Sequence, residues 1–437
     1  MTKSRNYNLL IIILTVLTFV FPYMKIKIVS IPIYFLDVFI LFLYFFIKKE
    51  NLKNEYWLKF LKAYFLFTII SFFYELLLYN NIESIYFYFR LTLNFLIFGL
   101  ISSLVISRDN LNTLVKSIFI CSIINSLFII FFSNAETRFL VEFFYESEFF
   151  YPQKNKFVND FSSIIFQRGQ TLAGGANFSG HLILMGMSVL LYYLTKTYKE
   201  FKLFTWLNIP VSIFIICIFI YAIILSLSRS SILSLVLLLL FFIFYNSKSN
   251  FTKTFFIILT STSIFIFSSS LFTNVDLSRL YRAVDLIEGS AEVGHSEQER
   301  IDAYTHPFKI LAKNPLNFFF GKGIFTDKIT GTSRYSKFHE GELKGRHGLL
   351  GSIVYDRGWI SFMIFVLFIY SIARTAIFKK SKFSLLSKLL LIITISPLLL
   401  THLFTDSIFG GYQLFFLFST ILLFSKNLKN KIDYYEN

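Results

Sequence analysis

The residues of this chain best suited to chemistry are cations set in apolar surroundings. Arg229 interrupts SLSRSSILSLVLLLLFF, residues 226–242, and NIPVSIFIICIFIYAII ends just before it. A charge inside a bilayer, or at its lip, is costly unless it faces a partner or water. Arg90 comes early in one apolar run and Glu75 late in the run before it. Arg168 precedes another run, Arg300 lies in a long polar segment, and Arg346, His347, Asp356 and Arg357 surround the next return to apolar sequence. Guanidinium forks bind oxyanions bidentately and stay charged, so several at one water-exposed membrane boundary would make a site for a polyanion anchored in lipid. Each also has an ordinary reading: Arg229 snorkelling to the interface, Arg90 paired with Glu75, Arg357 paired with Asp356, and loop arginines in solvent.

The elements that must position these groups are membrane helices. The chain has 437 residues, 55% of them hydrophobic, and a mean hydropathy of +0.63, which excludes an ordinary soluble domain. Crossing a hydrocarbon core takes roughly 20 mostly apolar residues per helix, and about twelve such stretches occur. They run approximately 7–23, 28–47, 57–79, 86–105, 112–132, 173–194, 206–225, 230–246, 254–272, 350–372, 386–403 and 408–424. The expected fold is all-α, a polytopic transmembrane bundle forming one domain over residues 1–437. Lys and Arg near span ends, such as Lys3, Arg5, Lys48, Lys379 and Lys429, gather mainly on one side when both termini are cytoplasmic. That bias accounts for most of the net charge of +16, so nucleic acid is not an expected partner. Cys121 and Cys217 both fall in apolar spans, which argues against a disulfide framework or a metal site. There is no Walker-type or dinucleotide glycine motif, which argues against direct use of ATP.

Two long connections fall on the outer side in this topology, at about 134–172 and 273–349. The first carries the aromatic and acidic FLVEFFYESEFFYP, suited to lying along a membrane surface. The second carries LSRLYRAVDLIEG and ERIDAYTHPFKILAKNP, whose apolar residues recur at helical spacing. It is expected to form a helical cap on the outer face. Such long connections are often functional.

With these segments in order, the chain resembles the O-antigen polymerase and O-antigen ligase superfamily. RGQTLAGGAN, from Arg168 to Asn177, resembles the family's arginine followed nine positions later by asparagine at the start of a span. SLSRSS resembles its Ser-Arg turn, matched by Ser228 and Arg229. In the cap, Arg300, Tyr304, Pro315, Gly321 and Gly323 resemble a pattern of Arg, an aromatic residue, Pro and Gly-x-Gly. HGLLGSIVYDRG resembles a segment running from His-Asn to an acidic residue and glycine, giving His347, Asp356 and Gly358. Tyr304 replaces the usual tryptophan, Gly348 the usual asparagine, and Thr171 stands where glycine is common.

The resemblance implies a glycosyltransferase in the bacterial cytoplasmic membrane, acting at its outer face in lipopolysaccharide or capsule synthesis. Its donor would be a glycan on undecaprenyl diphosphate. The acceptor would be another lipid-linked repeat unit for a polymerase, the favoured reading, or lipid A core for a ligase. A chain-length regulator and a flippase of the same pathway are the implied protein partners. Arg229, Arg300 and His347 are the expected catalytic residues, the arginines on the diphosphate and His347 on the acceptor hydroxyl. Arg168, Arg90, Asn177, Ser228, Tyr304 and Arg346 are the expected substrate-binding residues. No cofactor or metal is implied. A flippase or transporter is the alternative of a different class, and the absence of paired halves in the sequence argues against it.

Overall fold

A computed structural model describes residues 2–28, 31–47, 56–79, 83–133, 171–172, 176–195, 204, 207–226, 228, 230–243, 245, 315–321, 349–378, 383–400 and 408–425. The described chain is helical apart from one ribbon. In order, its elements are α1 (Thr2–Phe19), β1 (Lys25–Ile28), β2 (Ile31–Tyr34), α2 (Phe35–Phe46), α3 (Tyr56–Tyr79) and α4 (Glu83–Leu104). Next come α5 (Arg108–Ser133), α6 (Ala176–Tyr193), α7 (Ile209–Leu225), α8 (Ser230–Ile243) and the short α9 (Pro315–Phe320). The last three are α10 (Leu349–Phe378), α11 (Ser384–Leu400) and α12 (Ile408–Ser425). Every span expected from sequence coincides with one of these helices except 254–272, which lies outside the described residues. Within α3, α5 and α10 lie stretches long and apolar enough to cross a membrane by length and composition. Of the two long connections, only 171–172 and 315–321 are described, so the expected cap lies mostly outside the described residues.

The ribbon is a departure from the expected span at 28–47. KIKIVSIPIY alternates β-branched residues with other types, a period suited to strands rather than helix. Lys25 pairs opposite Tyr34 and Ile28 opposite Ile31, antiparallel, and helix begins only at Phe35.

Polar stitches fix the helices against one another. Lipid is as apolar as the helix surfaces, so burying apolar area does not drive helix association there; close packing and interhelical hydrogen bonds do. Ser122 on α5 donates to the Leu182 carbonyl on α6 at 2.8 Å, and Asn125 donates to the Phe19 carbonyl that ends α1 at 2.9 Å. Gln413 on α12 reaches the Thr18 carbonyl at 2.8 Å, and Ser419 the Phe98 carbonyl on α4 at 2.9 Å. Between them, Phe368 of α10 meets Phe418 edge-on at 5.6 Å and stacks with Phe415 at 6.1 Å.

These contacts define two ends. Asn8 near the start of α1 meets Asp109 and Asn110 at the start of α5, marking one. At the other lie the end of α1, the starts of α2, α4 and α12, the α7–α8 turn and the first half of α10. The polar clusters around Arg90, Arg357 and Ser228 share this second end.

Candidate functional site at one end of the helix bundle

The serine-rich turn after α7 is held by its own hydroxyls. Asn208 starts α7 by accepting from the Val211 amide at 3.0 Å, with Pro210 in the first turn, and apolar residues carry the helix to Leu225. Ser228 then caps α8. Its Oγ accepts from the Ser231 amide at 3.3 Å, and its carbonyl accepts from the Ile232 amide at 3.0 Å. The Ser231 hydroxyl also donates to Ser228 Oγ at 2.8 Å, and Ser230 Oγ lies 3.1 Å away. The Ser228 hydroxyl, expected to touch substrate, is thus engaged in shaping the turn. Arg229 lies outside the described residues; both its neighbours, Ser228 and Ser230, are buried.

The start of α6 packs on this turn. Thr171 donates its amide to Ser179 Oγ at 3.0 Å, and their hydroxyls are 3.0 Å apart. Gly180 faces Ser231 and Ser226 so closely that any Cβ there would collide with the Ser231 side chain. The described flanks of RGQTLAGGAN and SLSRSS therefore touch, although Arg168 and the side chain of Asn177 lie outside the described residues. One residue past Gly180 on α6, His181 is buried, and among the described residues neither ring nitrogen has a hydrogen-bond partner.

A second cluster forms where α10 breaks. Gly358 has φ +79° and ψ 173°, so residues 349–357 and 359–378 are two helical runs joined at a bend. Gly321, just after α9, has φ +83°. The two glycines let backbone meet backbone: a Cβ on Gly321 would run into Asp356 and Arg357, and one on Gly358 into Phe319 and Phe320. Pro315 opens α9, and Asn317 within it accepts from the Tyr74 hydroxyl of α3 at 2.9 Å. Phe318 and Trp359 stack across the junction at 6.0 Å. NPLNFFFG and YDRG, which the resemblance treats as separate motifs, thus form one contact.

Charged and phenolic groups gather beside this junction. Ser71 donates to the Arg357 carbonyl at 3.3 Å. The Arg357 Nη1 donates to the Tyr64 hydroxyl, and its guanidinium carbon lies 5.4 Å from the centre of the Tyr64 ring. Glu75, Asp356 and Arg357 all act electrostatically on the buried Tyr88. Tyr64, Ser71 and Tyr88 were not singled out from sequence, because tyrosine and serine within apolar helices carry no local sign of a shared site.

Arg90 belongs to a third cluster. Its Nε lies 3.0 Å from Asp37 Oδ2, its Nη2 donates to Oδ1 at 3.3 Å, and the side chain is 2% exposed. Tyr412 also donates to Asp37 Oδ1, at 2.7 Å, and the guanidinium sits 4.1 Å from the Tyr34 ring centre. The structure supplies Asp37 as a partner where sequence had offered only Glu75. Arg90 is thereby built into the frame joining α2, α4 and α12.

Residues 212–366 match the family model Wzy_C, described as O-antigen ligase. The match supports the O-antigen polymerase and ligase superfamily. A comparison with curated proteins found no match. The Wzy_C match begins within α7 and ends within α10, so it takes in the serine turn, Gly321 and the break at Gly358. Arg90, Arg168 and Asn177 precede it. Arg300, Tyr304, Arg346 and His347 fall inside the match but outside the described residues. Apolar helices and the Wzy_C match together support a membrane protein.

Proposed function

We propose that the chain is a polysaccharide polymerase of the cytoplasmic membrane, moving a growing glycan from undecaprenyl diphosphate to another lipid-linked repeat unit at the outer face. The observation carrying this reading is the Wzy_C match over the segment that contains the serine turn and the junction at Gly358. In the reaction an acceptor hydroxyl attacks the anomeric carbon. The new glycosidic bond forms as the bond from that carbon to the diphosphate oxygen breaks, and the electron pair leaves with the polyprenyl diphosphate. The hydroxyl proton passes to His347. Negative charge grows on the departing diphosphate, so fixed guanidinium groups stabilise the transition state more than the ground state. Arg229, Arg300 and Arg168 are assigned that task, with Tyr304, Asn177 and Arg346 in contact with substrate.

The expected result of Arg229→Ala or Arg300→Ala, at unchanged expression, is a loss of roughly 100- to 1,000-fold in product, as when one preorganised donor to developing charge is removed. Full-length polysaccharide from either variant refutes the assignment. The Wzy_C match is equally compatible with a second reading, a ligase acting on lipid A core. Surface glycans from a deletion strain separate the two on a gel: single repeats on the lipid core for a lost polymerase, long chains stranded on the carrier for a lost ligase. Units trapped inside the cell would instead indicate a flippase.

A further inference from the structure

The short helix α9 is inside out for a helix in water. Its sequence, PLNFFF, has one polar side chain, and that one, Asn317, is buried and accepts from the Tyr74 hydroxyl. Leu316 and Phe319 are turned outward instead, 56% and 45% exposed. Three positions apart on a helix, they share one face. In water that face would leave two large apolar groups wet while the polar group is withdrawn from solvent, and both choices cost free energy. Against acyl chains, which are as apolar as leucine, the outward face costs nothing and the inward asparagine is where it must be.

Depth is the second observation. Tyr74 lies three residues inside the end of the spanning stretch Trp57–Leu77, which at the helical rise puts it about 4.5 Å below that edge. On the other flank, Gly358 meets Phe319 backbone to backbone. Gly358 lies five residues inside the stretch Ile353–Phe378, about 7.5 Å from its start. Two membrane helices therefore clasp α9 at a level where both are still apolar. Phe73, next to Tyr74 on α3, and Leu77 one turn on are exposed as well, so the lipid-facing surface of α3 runs up beside α9. Trp359, which stacks on Phe318, is of a type that favours the boundary between headgroups and acyl chains. In sequence, Lys313 and Lys322 bracket the helix, where they suit anionic headgroups.

We infer that α9 is a membrane-interface anchor, with Leu316 and Phe319 resting in phospholipid just beneath the headgroups of the leaflet at this end of the bundle. The long connection at 273–349 thereby re-enters the bilayer before α10 begins, and the junction at Gly358 is held at headgroup level. This holds for a polymerase, a ligase or a flippase alike, since it needs only that the helices span a membrane.

The test places a nitroxide on Leu316→Cys or Phe319→Cys in the full chain, with Cys121 and Cys217 replaced by serine, in nanodiscs of phosphatidylcholine and phosphatidylglycerol. Collisions with oxygen, which concentrates among acyl chains, and with a water-soluble nickel chelate report the surroundings. Asp109→Cys, at the exposed start of α5, is the aqueous reference, and Leu367→Cys, on the exposed face of α10, the acyl-chain reference. The oxygen-to-nickel collision ratio at both α9 positions should lie several-fold above that at Asp109 and below that at Leu367. A ratio equal to that at Asp109 puts α9 in water and overturns the inference. Low collision rates with both reagents and an immobilised spectrum show another part of the chain covering α9, and overturn it too. The melting temperature checks that each labelled chain folds. If neither does, unlabelled Leu316→Val and Leu316→Gln decide: glutamine should melt lower than valine, because it puts an unpaired polar group into lipid, and equal melting temperatures overturn the inference.

Discussion

Whether Arg90 serves the frame or the substrate is decided by a double-mutant cycle with Asp37. The pair is side-on, with N···O separations of 3.0 and 3.3 Å, and the arginine is 2% exposed. Arg90→Met leaves a buried carboxylate supported by Tyr412, and Asp37→Leu leaves a buried guanidinium. Breaking a buried pair from one side costs about 3–5 kcal/mol, whereas replacing both members with apolar residues of similar size is often neutral or better. Each single variant should therefore lose about that much stability, and the Arg90→Met/Asp37→Leu double should be at least about 2 kcal/mol more stable than either. Tyr412→Phe removes a hydrogen bond to a charged group and should cost about 1.5–3 kcal/mol with Asp37 present, and less beside Asp37→Leu. Unfolding of the purified chain in mixed micelles against rising denaturing detergent supplies these differences. A single variant within about 1 kcal/mol of wild type, or costs that simply add, would refute the argument from burial. A double variant that folds normally yet makes no polysaccharide would return Arg90 to the substrate pocket.

The remaining predictions concern the junction, the orientation and the chemistry. Gly358→Ala must adopt a backbone conformation reserved almost wholly for glycine, worth about 1–3 kcal/mol, and must also displace α9 from its contact at Phe319. A lowered melting temperature together with lost product is expected, and a wild-type melting temperature would show that the break does not need glycine. With Cys121 and Cys217 replaced by serine, Ile26→Cys on β1 should react with a membrane-impermeant thiol reagent added to whole cells, and Asp109→Cys only after lysis; the opposite pattern inverts the proposed orientation. Because the proposed leaving-group stabilisation comes from guanidinium groups, transfer by the purified enzyme should continue in excess EDTA, and abolition reversed by a divalent cation would refute that scheme.

Helix positions were legible because length and apolarity alone decide what can cross a bilayer. Depth was legible too: Arg90, Glu75, Ser228 and Arg357 could be placed near one end by counting along alternating spans. What sequence did not give was the direction each residue takes around its helix. Glu75 and Arg90 lie on consecutive helices at similar depth, and Arg90 also meets Asp37 and Tyr412, because α4 packs against α2 and α12 as well as α3. Asp37 was itself a signal, an acid inside an apolar run, but its partners lie 53 and 375 positions away.

The glycines give the same lesson in backbone terms. Gly358 in an apolar run reads as a tolerable weakness in a helix, and Gly321 as an ordinary turn. Only their contact shows that each makes room for the other's chain, so a substitution at either site should disturb both motifs. Gly180 against Ser231 is a similar joint between the α6 start and the serine turn. At the serine turn the packing fixes the residues on either side of Arg229, the cap Ser228 and the buried Ser230. A turn held this way by its described residues gives up little freedom when a ligand arrives, which favours recognition of one phosphate geometry over general attraction to charge. On that ground, lysine should be a poor substitute for arginine at position 229, although the net charge is unchanged.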